Sequence, residues 1–167
     1  MNDEPTASVC IEGGLDRFLR TIEAFPSRYS QVTVCSPFID ESLRERMARF
    51  AMAARGVGCG VRVITGLTQI QGVARHATGI SPARPNLLAI PRLHAKVYLA
   101  LARNRRNSIA IVTSANLTEA GLKRNIELGL ILRATSPEGA RIVEEVRHFL
   151  EFIARHKQGV INGKNSR

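Results

Sequence analysis

Apolar residues recur every third or fourth position through "GLDRFLRTIEAF". Leu15, Phe18, Leu19, Ile22 and Phe25 fall on one face, which predicts an amphipathic helix. "QVTVCS" follows as a short strand. Helical spacing returns in "DESLRERMARFAMAARG", with Leu43, Met47, Phe50 and Ala54 on one stripe, Asp40 as N-cap and Gly56 at the end. "GVRVIT", residues 60–65, is a second strand, and strand–helix–strand in that order predicts a parallel pair joined by a crossover. Gly66, Gly72, Gly79, Pro82 and Pro85 punctuate residues 66–86, which read as loops with room for one short helix.

Beyond that stretch "LLAI", "LHAKVYLAL", "SIAIVTS" and "NIELGLIL" read as strands, and the polar "ARNRRN" is the turn between the middle two. "SPEGARIVEEVRHFLEFIARH" closes the pattern as a helix. Ser136 is its N-cap, Pro137 its first residue, and Ile142, Val146, Phe149, Leu150 and Ile153 its buried face. No internal repeat is visible. The pattern predicts one α/β domain over residues 1–156, a mixed β-sheet sandwiched between helices, followed by a basic, frayed tail over 157–167.

Composition sharpens this picture in two ways. Tryptophan is absent and aromatics make up 5% of the chain, so the core relies on Leu, Ile, Val and Ala. Lys and Arg outnumber Asp and Glu 24 to 14, a net charge of +10, which favours a polyanionic partner such as nucleic acid or an acidic membrane surface. Cys10, Cys35 and Cys59 are widely spaced and contain no CxxC pair, so neither a disulfide framework nor a zinc site is indicated. The opening "MNDEPT" is unlike a signal peptide, and no apolar run approaches the roughly 18 residues of a membrane span. A soluble, cytoplasmic protein is expected.

The candidate chemistry lies in "LHAKVYLA". A strand there puts His94, Lys96 and Tyr98 on one face and Leu93, Ala95, Val97 and Leu99 on the other. If the following turn centres on Arg105, His94 lies opposite Asn116 and Lys96 opposite Ser114, so four polar side chains share one patch. Glu127, in the next strand-like run, is a carboxylate that needs partners, and a histidine N–H suits it. This set fits phosphate-ester chemistry. A neutral imidazole attacks phosphorus, a second, protonated one supplies the leaving group's proton, and Lys96 and Asn116 neutralise the non-bridging oxygens. Glu127 can fix the tautomer of His94 and raise its basicity. A lysine occupies the place beside the histidine, unlike a zinc site with three or four His, Cys or carboxylate ligands, so no metal and no cofactor are expected.

"HAKVYL…TSANLTEAGL…NIELG" resembles the phospholipase D superfamily, whose signature is HxK, then GSxN, then a downstream acidic residue. The likeness spans roughly Leu15 to Arg133 and includes the upstream "SPFID" and "RGV…VRVITG". It implies the phospholipase D-like fold, with His94 as the nucleophile that forms a phosphohistidine, Lys96, Ser114 and Asn116 binding the phosphate, and Glu127 orienting the histidine. Two positions depart from the family pattern. Leu101 stands where an aspartate is frequent, and Thr113 replaces the glycine before the serine. The missing aspartate resembles the nuclease branch.

The chemistry needs two imidazoles and the chain has one HxK, because His76, His148 and His156 lack a lysine two residues on. A homodimer with two His94 residues facing across a two-fold axis satisfies the requirement, and family members with one motif copy are similarly dimeric. Charge favours a nuclease for DNA or RNA. Arg103, Arg105 and Arg106 on the hairpin turn are the candidate nucleic-acid contacts, and other subunits of a restriction or defence system are candidate partners. Two alternatives stand beside this reading. One is a phospholipase or phosphatidyl-transfer enzyme, for which an exposed apolar docking surface is expected and none is obvious in the sequence. The other is a non-catalytic nucleic-acid-binding module.

Overall fold

A computed structural model of the chain describes residues 5–11, 13–66 and 86–162, with 156–162 as backbone only. Among these residues one sheet holds seven strands: β1 (Ala7–Cys10), β2 (Tyr29–Ser36), β3 (Gly60–Gly66), β4 (Asn86–Ile90), β5 (Val97–Ala102), β6 (Ile109–Thr113) and β7 (Gly129–Arg133), in the order β1-β7-β6-β5-β2-β3-β4. β2 and β3 are parallel, as the crossover pattern predicts, and β4 extends the parallel run. β5 turns antiparallel to β2, and β6, β7 and β1 continue antiparallel from it.

Helices α1 (Gly14–Ala24) and α2 (Glu41–Gly56) cover one face of the sheet. Leu15, Phe18, Leu19 and Ile22 of α1 and Leu43, Met47, Phe50 and Ala54 of α2 pack there against Val32, Val34, Tyr98 and Ile111. The short α3 (Glu119–Lys123) adds Leu122 to the same core, while α4 (Pro137–Asn162) covers the other face with Val143 and Leu150 on Cys35, Ile64, Val97, Leu99, Ala110 and Leu132. Full burial of each large apolar side chain contributes about 1.5–3 kcal/mol, so the two layers hold the central strands firmly. The molecule is the α/β sandwich that the hydrophobic pattern predicts.

Several details differ from the pattern. β1 was not anticipated, because "ASVC" is short and only Cys10 in it is buried. α1 stops at Ala24, ahead of Pro26, so Phe25 lies outside the helix and is exposed. On α4 the buried stripe runs through Val143 and Leu150, with Ile142, Val146 and Ile153 partly buried, and Phe149 faces outward. The α4 backbone also continues to Asn162, past Lys157 where a frayed tail was expected. Ser136 does cap α4, its Oγ accepting the Gly139 N–H at 3.0 Å. Asp40, by contrast, makes no side-chain cap on α2. Its Oδ2 accepts the Glu119 N–H of α3 at 2.6 Å. The expected loops of 66–86 fall, between Gly66 and Asn86, outside the described residues. Among the described residues no helix is long and apolar enough to cross a membrane.

Candidate active site

The strand directions bring one end of each of the seven strands to the same end of the sheet. β2, β3, β4, β6 and β1 finish there, and β5 and β7 begin there, as the pairs Cys35–Val97, Val97–Val112, Thr113–Gly129 and Gly129–Cys10 show. His94 and Lys96 immediately precede β5, Ser114 and Asn116 immediately follow β6, and Glu127 immediately precedes β7. The five residues picked from the sequence therefore come from three separate segments to one end of one sheet.

They do so by a route that differs from the expected one. β5 starts at Val97, so His94 and Lys96 lie in an irregular segment and not in a strand. The hairpin pairs Val97 with Val112 and Ala100 with Ile109, one residue out of the register that a turn centred on Arg105 would impose. The ladder's continuation is Thr113 N–H to Lys96 O at 3.2 Å, so Lys96 sits opposite Thr113 and not Ser114. A short 3₁₀ turn at Arg105–Asn107, closed by Asn104 Oδ1 accepting the Arg106 N–H, sets this register. Glu127 likewise lies in the irregular run before β7, where its carboxylate is half-buried.

Hydrogen bonds fix the loops between these ends. Ser114 Oγ donates to Glu127 Oε2 and accepts the Leu128 N–H at 3.1 Å. Asn125 Nδ2 donates to the other oxygen, Oε1, at 3.1 Å. Glu127 thus has both oxygens engaged by Ser114 and Asn125, whereas His94 is exposed and its carbonyl accepts Lys96 Nζ at 3.1 Å. The contact that was expected between Glu127 and His94 is not among the described hydrogen bonds of one chain. Among the described residues, buried Asn116 Oδ1 has no hydrogen-bond partner.

Four residues that sequence reasoning missed hold this arrangement. Thr113 Oγ1 donates to Leu128 O and accepts the Ala115 N–H, each at 3.1 Å. That bridge gives a function to the residue standing in place of the family's glycine. Tyr98 is buried and its hydroxyl donates to Ala115 O at 3.0 Å, between Ser114 and Asn116, while burial raises its pKa. Ser36 Oγ accepts the Leu117 N–H at 2.9 Å, and Asp40 holds α3 as described. Thr113, Tyr98 and Ser36 are polar residues at or next to strand ends and Asp40 precedes α2, signals too common to single them out beforehand. Burial raises the thiol pKa of Cys10 and Cys59, and that of Cys35 to about 12, so these thiols stay protonated near neutrality and do not compete as nucleophiles. Among the described residues no three His, Cys, Asp or Glu side chains gather as a metal site requires.

The basic hairpin turn is not brought to this end. It follows β5 at the far end of the sheet, about 20 Å away for six extended residues. Arg103 is committed to structure there. Its Nε donates to Ser27 O at 3.0 Å and its Nη2 to Val57 O at 2.9 Å and Gly58 O at 3.1 Å. Arg105 and Arg106 are exposed, and Arg105 lies close enough to Glu144 to help lower that carboxyl's pKa, after the larger effect of the Arg147 hydrogen bond.

An apolar surface that the sequence did not advertise flanks the site. Val9, Leu130 and Val112 form a cross-strand row on the α4 side of the sheet, beyond the reach of the helix, and all three are exposed. Leu128 and Ile126, on either side of Glu127, continue it at 65% and 91% exposure. On the opposite face a cavity of about 400 Å³ opens between β1, α1 and α3, with Thr113, Asn125 and Glu127 in its wall.

Comparison with known proteins points the same way as the motifs. The family model described as "Cardiolipin synthase, PLD-like domain" matches residues 22–153. No curated protein sequence matches the chain. Among solved structures, a phospholipase D family member, Nuc from Salmonella typhimurium, superposes with a TM-score of 0.62 at 16% identity, covering 89% of this chain and 95% of that one. NucT from Helicobacter pylori gives 0.56 at 12% identity over the same shares. Polyphosphate kinase from Porphyromonas gingivalis gives 0.63 at 15% identity over 89% of this chain but 26% of its own. At such identities the likeness is one of fold.

Proposed function

Because the chain belongs to the phospholipase D superfamily, we propose that it is a metal-independent phosphodiesterase that cuts nucleic acid through a phosphohistidine, in a site completed by a second copy of the chain. The observation that carries this reading is the convergence of His94, Lys96, Ser114, Asn116 and Glu127 from three segments onto one end of the sheet. A neutral His94 ring nitrogen attacks phosphorus, and the bond from phosphorus to the leaving oxygen breaks as that oxygen takes a proton from the second copy's imidazolium. Water then attacks the phosphohistidine and gives its proton to the same imidazole. The N–P bond breaks and a phosphate monoester leaves. The Lys96 ammonium and Asn116 amide offset charge on the non-bridging oxygens through both steps.

Two features support the second copy. One chain has one HxK, and the exposed row Val9–Leu130–Val112, with Leu128 and Ile126, lies against the site where an isologous partner would cover it. The net charge of +10 supports a polyanionic substrate. The same apolar strip favours a second reading, a phosphatidyl-transfer enzyme that docks on a bilayer.

One experiment separates the two. Labelled single- and double-stranded DNA, RNA and phospholipid vesicles are each incubated with wild type and His94→Ala in excess EDTA. EDTA-resistant cleavage of nucleic acid that His94→Ala abolishes is the expected result. Hydrolysis or transfer confined to phospholipid establishes the second reading, and nucleic-acid cleavage that survives in His94→Ala overturns the phosphohistidine mechanism.

A further inference from the structure

Phe38 and Arg92 occupy the side of the site away from the apolar strip, where β2, β3 and β4 end. The loop carrying Phe38 is bolted down on both sides. Ser36 Oγ donates to Phe38 O at 2.7 Å and accepts the Leu117 N–H, Ile39 forms a β-bridge with Leu117, and the Asp40 N–H donates to Leu117 O at 3.2 Å. Leu117 is the neighbour of Asn116. Pro37 O accepts the Gly66 N–H at 3.2 Å, an approach so close that a Cβ on Gly66 would lie 2.7 Å from that oxygen. On the β5 side Cys35 pairs with Val97, and its Sγ contacts Ala95 O, between His94 and Lys96, at 3.8 Å. The backbone of this loop is therefore held by its neighbours on every side, yet the Phe38 ring is 50% exposed. None of the hydrogen bonds that fix the loop needs the ring.

Arg92 arrives at the same corner from β4. Ile90 pairs with Gly66, the residue bonded to Pro37, and Arg92 follows two positions later in the turn that delivers His94. Its φ of 56° lies in the left-handed region that L side chains rarely adopt, and its side chain is exposed. Among the described residues its guanidinium has no carboxylate partner. A fixed, exposed aromatic residue and a guanidinium with no carboxylate partner among the described residues thus stand beside the HxK segment. Rings held in this way stack bases irrespective of sequence, and arginine takes backbone phosphate.

We infer that Phe38 and Arg92 form a nucleotide subsite next to the scissile phosphate, Phe38 stacking the adjacent base and Arg92 binding the phosphate beyond it. The inference rests on the nucleic-acid reading of the site and extends it by assigning how the strand is gripped. A single-stranded oligonucleotide is the ligand of choice, since a base within a duplex does not offer its face.

The test is kcat/KM in EDTA on a labelled single-stranded oligonucleotide and on the same strand made abasic around the cleaved phosphate. Phe38→Ala and Phe38→Leu each lose about tenfold or more on the normal strand, as expected for a stack worth roughly 1.4 kcal/mol or more. Neither loses further on the abasic strand, and Phe38→Tyr stays near wild type. Arg92→Gln lowers the slope of log kcat/KM against log salt by about 0.7, one phosphate contact on a single strand. Full activity in Phe38→Leu overturns the inference, as does an equal defect on both strands. So does dissociation of a dimer by Phe38→Ala in sedimentation, or a loss of anionic-vesicle binding in that variant. If wild type cuts no nucleic acid at all, the nuclease reading itself falls and takes the subsite with it. An unchanged Phe38→Leu beside an active wild type removes the subsite alone.

Discussion

Single residues in this chain act through sets of partners of which at least one lies far off in sequence. Arg103 has the look of a nucleic-acid contact in "ARNRRN", yet three backbone carbonyls from Ser27, Val57 and Gly58 hold its guanidinium. Glu127 is identifiable as the odd carboxylate of an apolar run, but nothing local announces that Ser114 and Asn125 engage its oxygens. Asp16 shows the same dependence with a measurable consequence. Burial pushes its pKa up, but the hydrogen bonds and charges of Arg20 and Arg46 outweigh this, so the folded value lies below the ordinary 3.8. The native state therefore binds fewer protons than the unfolded chain as pH falls through that value. Its contribution to stability is present above about pH 4 and is lost as pH falls toward the folded pKa. In thermal melts from about pH 2.5 to 7, Asp16→Asn should lower Tm at neutral pH and flatten the decline of Tm below about pH 4. An unchanged acid limb would show that the Asp16 pairs with Arg20 and Arg46 do not stabilise the fold.

At the scale of elements, the type of structure was legible and the boundaries were not. The 3.6-residue and two-residue periods located α1, α2, α4 and most of the strands, because each side of the sandwich imposes its own repeat on the chain. Where a strand stops depends on its neighbour. β5 begins at Val97 and β7 at Gly129, and a one-residue change of hairpin register moves Lys96 from Ser114 to Thr113. Close fit accounts for part of this. A Cβ on Gly129 would lie 2.8 Å from Thr113 Cβ, so only glycine lets β7 start beside the site. Asp40 illustrates how a cap signal was read correctly in type and wrongly in target, since it ties the α3 N-terminus to the β2 loop through the Glu119 N–H. Asp40→Ala should therefore cost about 1 kcal/mol, a drop of roughly 2–4 °C in Tm for a chain of this size. Circular dichroism melts measure this directly, and an unchanged Tm would mean that solvent satisfies the Glu119 N–H equally well.

For the molecule as a whole, the decisive features are one HxK per chain and an apolar strip beside it that one copy leaves uncovered. Leu130 is suited to a test because it is exposed, lies in the middle of the row Val9–Leu130–Val112, and is not one of the five residues proposed to form the site. Leu130→Glu should yield a folded monomer in sedimentation, with an unaltered circular dichroism spectrum. Its activity should fall roughly 100-fold or more, the usual contribution of a general acid that the second copy would no longer supply. A fully active monomer would show that one histidine suffices, and the two-imidazole chemistry proposed here would have to be abandoned.

The chain's own pattern was enough to determine the sandwich, the parallel βαβ start, the capped final helix and the five polar residues at odds with their apolar surroundings. These are local properties, since periodicity, caps and an out-of-place charge depend only on neighbours a few positions away. Tertiary structure alone decided that His94 and Lys96 precede their strand, that the Arg103–Arg106 turn lies at the far end of the sheet, and that Leu128, Leu130 and Val112 face outward. It alone set Phe38 and Arg92 beside the HxK segment. Each of these outcomes depends on strand order, register and which surfaces a helix is long enough to cover, and those are settled by contacts between residues distant in the chain.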